Sequence, residues 1–237
     1  MAPMRNPILA ALDVATAEHA LTLVQALSPV VGGFKIGKEL FISAGPDIVH
    51  RIRAQGASVF LDLKLHDIPN TVARAVAAAV RLDVQMLTVH SSGGTAMMQA
   101  AEESARAAAQ KAGCPPPLVL GVTVLTSLDN RSLAEIGFTA DVSRQVERLA
   151  SLAAQSGLRG LVCSPLEITA LRQILPASIQ LVTPGIRGSS DTSDDQKRTL
   201  NARQAIEAGA SWLVIGRPIY AAPDPRAAAE QILASLA

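Results

Sequence analysis

Four charged side chains define the chemistry open to this chain: Lys35, Asp62, Lys64 and Asp67. Asp62 and Lys64 stand two apart in the stretch FLDLKLHDIPNTV, which runs from Phe60 to Val72. On a strand that spacing sets both on the side of Phe60, with Leu61, Leu63 and Leu65 on the other. A strand buried on both faces does not carry unpaired charge cheaply, so these charges need partners. Asp67 follows just past the alternation, where Ile68-Pro69 imposes an extended turn before a helical run. With Lys35 from a neighbouring strand, the set alternates two cations and two anions in a neutral network. At ~4 Å and an effective dielectric near 20, each such contact is worth about 4 kcal/mol. The cluster can hold a lysine charged in a dry site and present a carboxylate close to a substrate carboxylate.

A second group suggests an anion grip. The segment WLVIGRPIY carries Gly216-Arg217 at the end of an apolar run. Gly216 lets a backbone N–H approach an oxyanion, and an arginine grips phosphate bidentately. The loop GIRGSSDTSDDQ (185–196) adds Arg187 and Gln196. Lys38 reads as solvated surface charge. His66 and His90 have no second ligand at metal spacing and read as structural or substrate-lining groups. Cys114 and Cys163 lie far apart, form no metal-ligand spacing and read as reduced thiols, Cys163 as core filling. The sequence contains no HExxH, CxxC or P-loop.

Positioning these residues requires strands that end together. Short apolar runs fall at about 7–14, 33–38, 58–65, 85–91, 118–125, 160–164, 179–185 and 212–217. Helix-like segments between them start after Thr16 and near Pro46, Asn70, Thr95, Asp141, Pro165, Asp195 and Pro225. Thr16 with Glu18, and Asp141 with Ser143, read as helix first turns. Strand–helix alternation implies parallel strands with helical crossovers. Eight units in 237 residues predict a closed (β/α)8 TIM barrel, a single domain over 1–237. An open doubly wound sheet is the runner-up, and it lacks the Gly-rich fingerprint such a sheet is expected to carry after an early strand. In a barrel the active site lies at the C-terminal strand ends. Polar residues gather there: Asp13 on the first strand, Lys35 on the second, and Asp62 and Lys64 on the third. His90 ends the fourth, Thr126 follows the fifth, Arg187 follows the seventh and Arg217 ends the eighth. The 185–196 stretch reads as an active-site loop, not a linker.

Composition narrows the class. Apolar residues make up 49% of the chain, enough for a sizeable core, while the formal net charge of +1 offers no basic field for nonspecific nucleic-acid binding. No run approaches the ~18–20 apolar residues of a membrane span, and Asp13 interrupts the first apolar run before it resembles a signal peptide. The expectation is a cytoplasmic protein with no nucleic-acid or membrane partner.

Six segments, in order along nearly the whole chain, resemble the orotidine 5′-phosphate decarboxylase family. They are AALDV ending at Val14, GFKIGKELF (33–41), LDLKLHDIPNTV (61–72), GVTVLTS (121–127), VTPGIR (182–187) and VIGRPI (214–219). The third matches the family's D-x-K-x-x-D-I-P-N-T signature. The resemblance implies a (β/α)8 barrel that converts orotidine 5′-monophosphate to UMP and carbon dioxide, the last step of de novo pyrimidine synthesis, with no metal or organic cofactor. It implies Lys64 as proton donor to carbon 6, with Lys35, Asp62 and Asp67 as charge-network partners. Asp67 would come from the other subunit of a homodimer with shared active sites. Asp13 and Lys35 resemble ribose-hydroxyl contacts, Thr71 a cross-subunit contact and Thr126 a pyrimidine contact. Arg187, Gln196, Gly216 and Arg217 resemble the phosphate grip, which would close the 185–196 loop.

The enzyme alternative is a metal-dependent sugar-phosphate decarboxylase or aldolase of the same barrel superfamily, with the same D-x-K-x-x-D core. A noncatalytic phosphate-ligand sensor would need Gly216 and Arg217 but not all four network charges.

Overall fold

The computed structural model describes residues 6–186 and 200–236. Its strands are β1 (Ile8–Ala11), β2 (Gly33–Ile36), β3 (Val59–Leu65), β4 (Met86–His90), β5 (Leu118–Val122), β6 (Gly160–Val162), β7 (Gln180–Thr183) and β8 (Trp212–Ile215). They pair in chain order, all parallel, and β8 returns to β1 to close the barrel. Closure rules out the open doubly wound sheet. The helices are α1 (Ala17–Leu27), α2 (Lys38–Ala44), α3 (Asp47–Arg53), α4 (Pro69–Val80), α5 (Gly94–Ala112), α6 (Asn130–Glu135), α7 (Val142–Gln155), α8 (Ile168–Ile174), α9 (Ala202–Glu207), α10 (Arg217–Tyr220) and α11 (Pro225–Ala234).

Helix starts follow local chemistry. The Thr16 and Asp141 side chains accept the backbone N–H of His19 and Arg144, and Pro69 takes the first position of α4. On α7, Val142, Val146, Leu149, Ala150 and Ala153 are buried, an apolar stripe at helical spacing. Short α2, α6 and α10 are not predicted from periodicity, because one or two turns show too little of a 3.6-residue repeat. The start near Asp195 expected for the helix between β7 and β8 falls outside the described residues, and the helix described there is α9.

Period-two alternation divides the core in two. Leu9, Phe60, Met86, Leu118, Leu120, Val182 and Trp212 fill the barrel interior, where the Trp212 indole N–H donates to Gln180 Oε1 at 2.7 Å. The outward-facing Ile8, Phe34, Leu61, Leu87, Val119 and Leu213 pack under the helices. The strands end earlier than the apolar runs suggest. Asp13 lies two residues beyond β1 and Arg217 opens α10 rather than ending β8, because ladder pairing stops where the mouth opens.

One ladder is irregular. Between β3 and β4 the register steps from Leu61↔Leu87 to Leu65↔Val89, so three residues, 62–64, oppose Thr88 alone. Lys64 lies within this bulge at φ 53°, a left-handed conformation that costs a lysine about 1–3 kcal/mol unless its surroundings hold it.

Candidate active site

The inward row of β3 passes from apolar to charged as it leaves the core. Phe60, Asp62 and Lys64 all line a cavity of about 410 Å³ at the C-terminal mouth. The Lys64 ammonium donates to both carboxylate oxygens of Asp62, each at 2.8 Å. The two side chains are 25% and 13% exposed, so the pair is only partly screened by water. From β2, the Lys35 ammonium donates to Asp13 Oδ1 at 2.7 Å. Gly37 follows closely: a Cβ there would lie 3.3 Å from both Asp13 Oδ1 and Lys35 Nζ. A side chain at position 37 would crowd that pair.

Thr126, Gly216 and Arg217 join Asp13, Lys35, Asp62 and Lys64 in the cavity lining. Seven of the sequence-derived candidates therefore meet in one place, drawn from strand ends far apart in the chain. Asp67 and Thr71 do not join them. Both are exposed at the start of α4, and the Asp67 carboxylate accepts the N–H of Ile68 at 2.6 Å. The alternating network is thus resolved in this chain into two ion pairs, Lys64–Asp62 and Lys35–Asp13, with Asp67 standing apart. Arg187 and Gln196 lie outside the described residues.

The opposite wall is apolar, built from Val122, Val124, Val162, Cys163, Pro184, Ile186 and Val214. Burial, reinforced by the Glu167 charge, pushes the Cys163 thiol up to about 12. It is a protonated wall residue rather than a nucleophile. The His66 and His90 rings pack at 5.3 Å between centroids, and neither lines the cavity. Burial, with His66, Lys64 and Lys38 adding to it, pushes His90 down to about 4, so its imidazole is neutral near pH 7. Among the described residues, no three His, Cys, Asp or Glu side chains gather as metal ligands. No helix among them is long and apolar enough to cross a membrane.

Two residues of the site are not predicted from sequence. Tyr220, the only tyrosine of the chain, reaches the cavity from α10. Thr88 lies beneath the Lys64–Asp62 pair and bonds to both residues. Its only sequence signal is parity: it shares an inward row with Met86 and His90 on β4.

Fold and site together define a (β/α)8-barrel enzyme with two lysine–aspartate pairs in the cavity at the C-terminal strand ends. The chain belongs to the orotidine 5'-phosphate decarboxylase / HUMPS family, whose model matches residues 6–232. It is 52% identical to the orotidine 5'-phosphate decarboxylase of Pseudomonas savastanoi pv. phaseolicola, covering 100% of both chains. It is 50% identical to that of Pseudomonas fluorescens over the same coverage. The crystal structure of orotidine 5'-phosphate decarboxylase from Lactobacillus acidophilus superposes with a TM-score of 0.87 at 37% identity, covering 98% of this chain and 99% of the other.

Proposed function

We infer that this chain decarboxylates orotidine 5′-monophosphate to UMP and carbon dioxide, a step of pyrimidine biosynthesis. The observation that carries the reading is the chelated Lys64–Asp62 pair facing an apolar wall across a substrate-sized cavity. Relatives of that name align over the whole chain, which favours this reading over the sugar-phosphate alternative.

The chemistry follows from the charges. The bond between carbon 6 and the carboxylate breaks, carbon dioxide departs, and the electron pair stays on carbon 6. The ring has no adjacent electron sink, so a cation must meet the developing charge. Lys64 supplies that cation and then donates a proton to carbon 6, giving UMP; solvent reprotonates the amine. Asp62 fixes the ammonium and lies where the substrate carboxylate must sit. Its repulsion of that group is a smaller term than stabilisation of the carbanion. The apolar wall keeps water from the ring and strengthens each electrostatic contact.

The substrate's other parts fit the remaining groups. Asp13 and Lys35 take the ribose hydroxyls, Thr126 the pyrimidine, and Gly216 and Arg217 the phosphate, with Arg187 and Gln196 completing the grip. Binding of the phosphate, remote from the bond that breaks, converts binding energy into order at the reacting carbon. The active species is a cytoplasmic homodimer in which Asp67 and Thr71 serve the partner's site. Supporting this, Asp67 is exposed and does not line its own cavity. Beside it Ile68 is 66% exposed, and Ile42, on the helix after the neighbouring strand, is 80% exposed. Apolar side chains so placed suit a covered surface.

The test is an absorbance assay of orotidine 5′-phosphate with the purified chain, run with and without EDTA. Conversion to UMP that persists in EDTA is the expected result. No conversion, or conversion that stops in EDTA and returns with added magnesium or zinc, would overturn this reading.

A further inference from the structure

We propose that Thr88 is the positioning residue of the catalytic pair, setting Lys64 and Asp62 through one buried hydroxyl; this rests on the decarboxylation reading above. Thr88 is 1% exposed and does not line the cavity, so it has no route to the substrate. Its hydroxyl accepts the backbone N–H of Lys64 at 2.8 Å and donates to Asp62 Oδ1 at 2.9 Å. Both of the hydroxyl's roles are used on the two members of the pair.

The bulge explains why a hydroxyl is needed there. Three residues of β3 oppose Thr88, so the Lys64 N–H has no ladder carbonyl in register, and the Thr88 side chain takes the carbonyl's place. That bond holds Lys64 at φ 53°, and the backbone angle determines where the side chain starts towards the cavity. The second bond acts on Asp62, whose carboxylate torsion is broad and two-fold when unrestrained. With Oδ1 held by Thr88, the carboxylate plane is fixed and both oxygens meet the ammonium at 2.8 Å. Threonine suits the task because its branched Cβ stiffens χ1 and aims the hydroxyl.

A merely structural hydroxyl would satisfy the bulge and affect stability alone. A positioning hydroxyl affects turnover while leaving affinity intact, because phosphate and ribose contacts lie elsewhere. The experiment measures kcat, KM and UMP affinity for the full-length wild type and for Thr88→Val, Thr88→Ser and Thr88→Ala. Thr88→Val keeps the shape and is expected to lower kcat about 10²-fold, as a 1 Å misplacement does. KM and UMP affinity should remain close to wild type. Thr88→Ser keeps the hydroxyl and should exceed Thr88→Ala in kcat by about tenfold or more, the rate equivalent of one strong hydrogen bond. If Thr88→Val does not fold, the serine and alanine variants decide alone, since both are smaller than threonine. Wild-type kcat in Thr88→Val, equal kcat in the serine and alanine variants, or loss of folding in both overturns the proposal. An inactive wild type overturns the decarboxylation reading and this inference with it, and that result is visible before any variant is made.

Discussion

A single carboxylate chelates the Lys64 amine: Asp62 Oδ1 and Oδ2 each lie 2.8 Å from Lys64 Nζ. The ammonium is thereby oriented in advance, and under the proposed mechanism a developing anion need only replace one contact of a group already in place. Preorganisation of this kind is commonly the largest electrostatic contribution to catalysis.

Removing the amine should abolish chemistry without unfolding the barrel, since Lys64 lies in the cavity wall rather than the core. Loss of a proton donor alone costs about 10²–10⁴-fold, and loss of charge stabilisation adds to that. Lys64→Ala is therefore expected to fold, by its circular dichroism spectrum, and to lose turnover by several orders of magnitude. A variant keeping more than a tenth of normal kcat would remove Lys64 from the mechanism.

Arg217 opens α10 at the cavity rim beside Gly216. If it holds the phosphate, Arg217→Ala should weaken kcat/KM towards the nucleotide by the equivalent of roughly 1.5–3 kcal/mol. The bare nucleoside should be far less affected. Proportional losses on the two substrates would show that Arg217 does not touch the phosphate.

Shared sites predict complementation. Asp67→Ala and Lys64→Ala homodimers should each be nearly inactive. After subunit exchange, half the dimers are mixed and half of their sites intact, so activity should return to about a quarter of wild type under twofold symmetry. A mixture as inactive as its parents, with exchange verified by mass, would place Asp67 in its own chain's chemistry.

His90 should make stability fall in acid. Its pKa is lowered from 6.5 to about 4 by burial, with His66, Lys64 and Lys38 adding and Asp62 opposing. Between those values the unfolded chain binds a proton that the folded chain does not, so stability rises with pH there. The His90 contribution is fully present above about pH 6.5 and is lost progressively as the pH falls towards 4. His90→Gln should flatten that part of a Tm-against-pH curve. Parallel wild-type and variant curves would contradict a neutral His90 in the fold.

The barrel was legible because its signals are local. Period-two runs, helix-starting Thr16 and Asp141, and Pro69 act within a few residues of chain, and eight repeats of strand and helix leave few topologies. Strand polarity is equally readable, so sequence alone assigns Asp13, Lys35, Asp62, Lys64, Thr126, Gly216 and Arg217 to one mouth. Which charge meets which is not. Lys35 lies on Asp13, 22 positions away, a choice made by the relative height of β1 and β2, while Lys64 takes Asp62 two residues back on its own strand. Thr88 shows only its inward parity, for the same reason. Nothing within MLTVH marks its hydroxyl, which gains partners only because β3 bulges opposite it and brings Asp62 and Lys64 from 26 and 24 residues away. Local sequence determined the elements and the face each side chain takes, because those depend on backbone sterics and burial. The Lys35–Asp13 pair and the Thr88 bonds depend on register across the closed sheet, and register exists only once the whole barrel has formed.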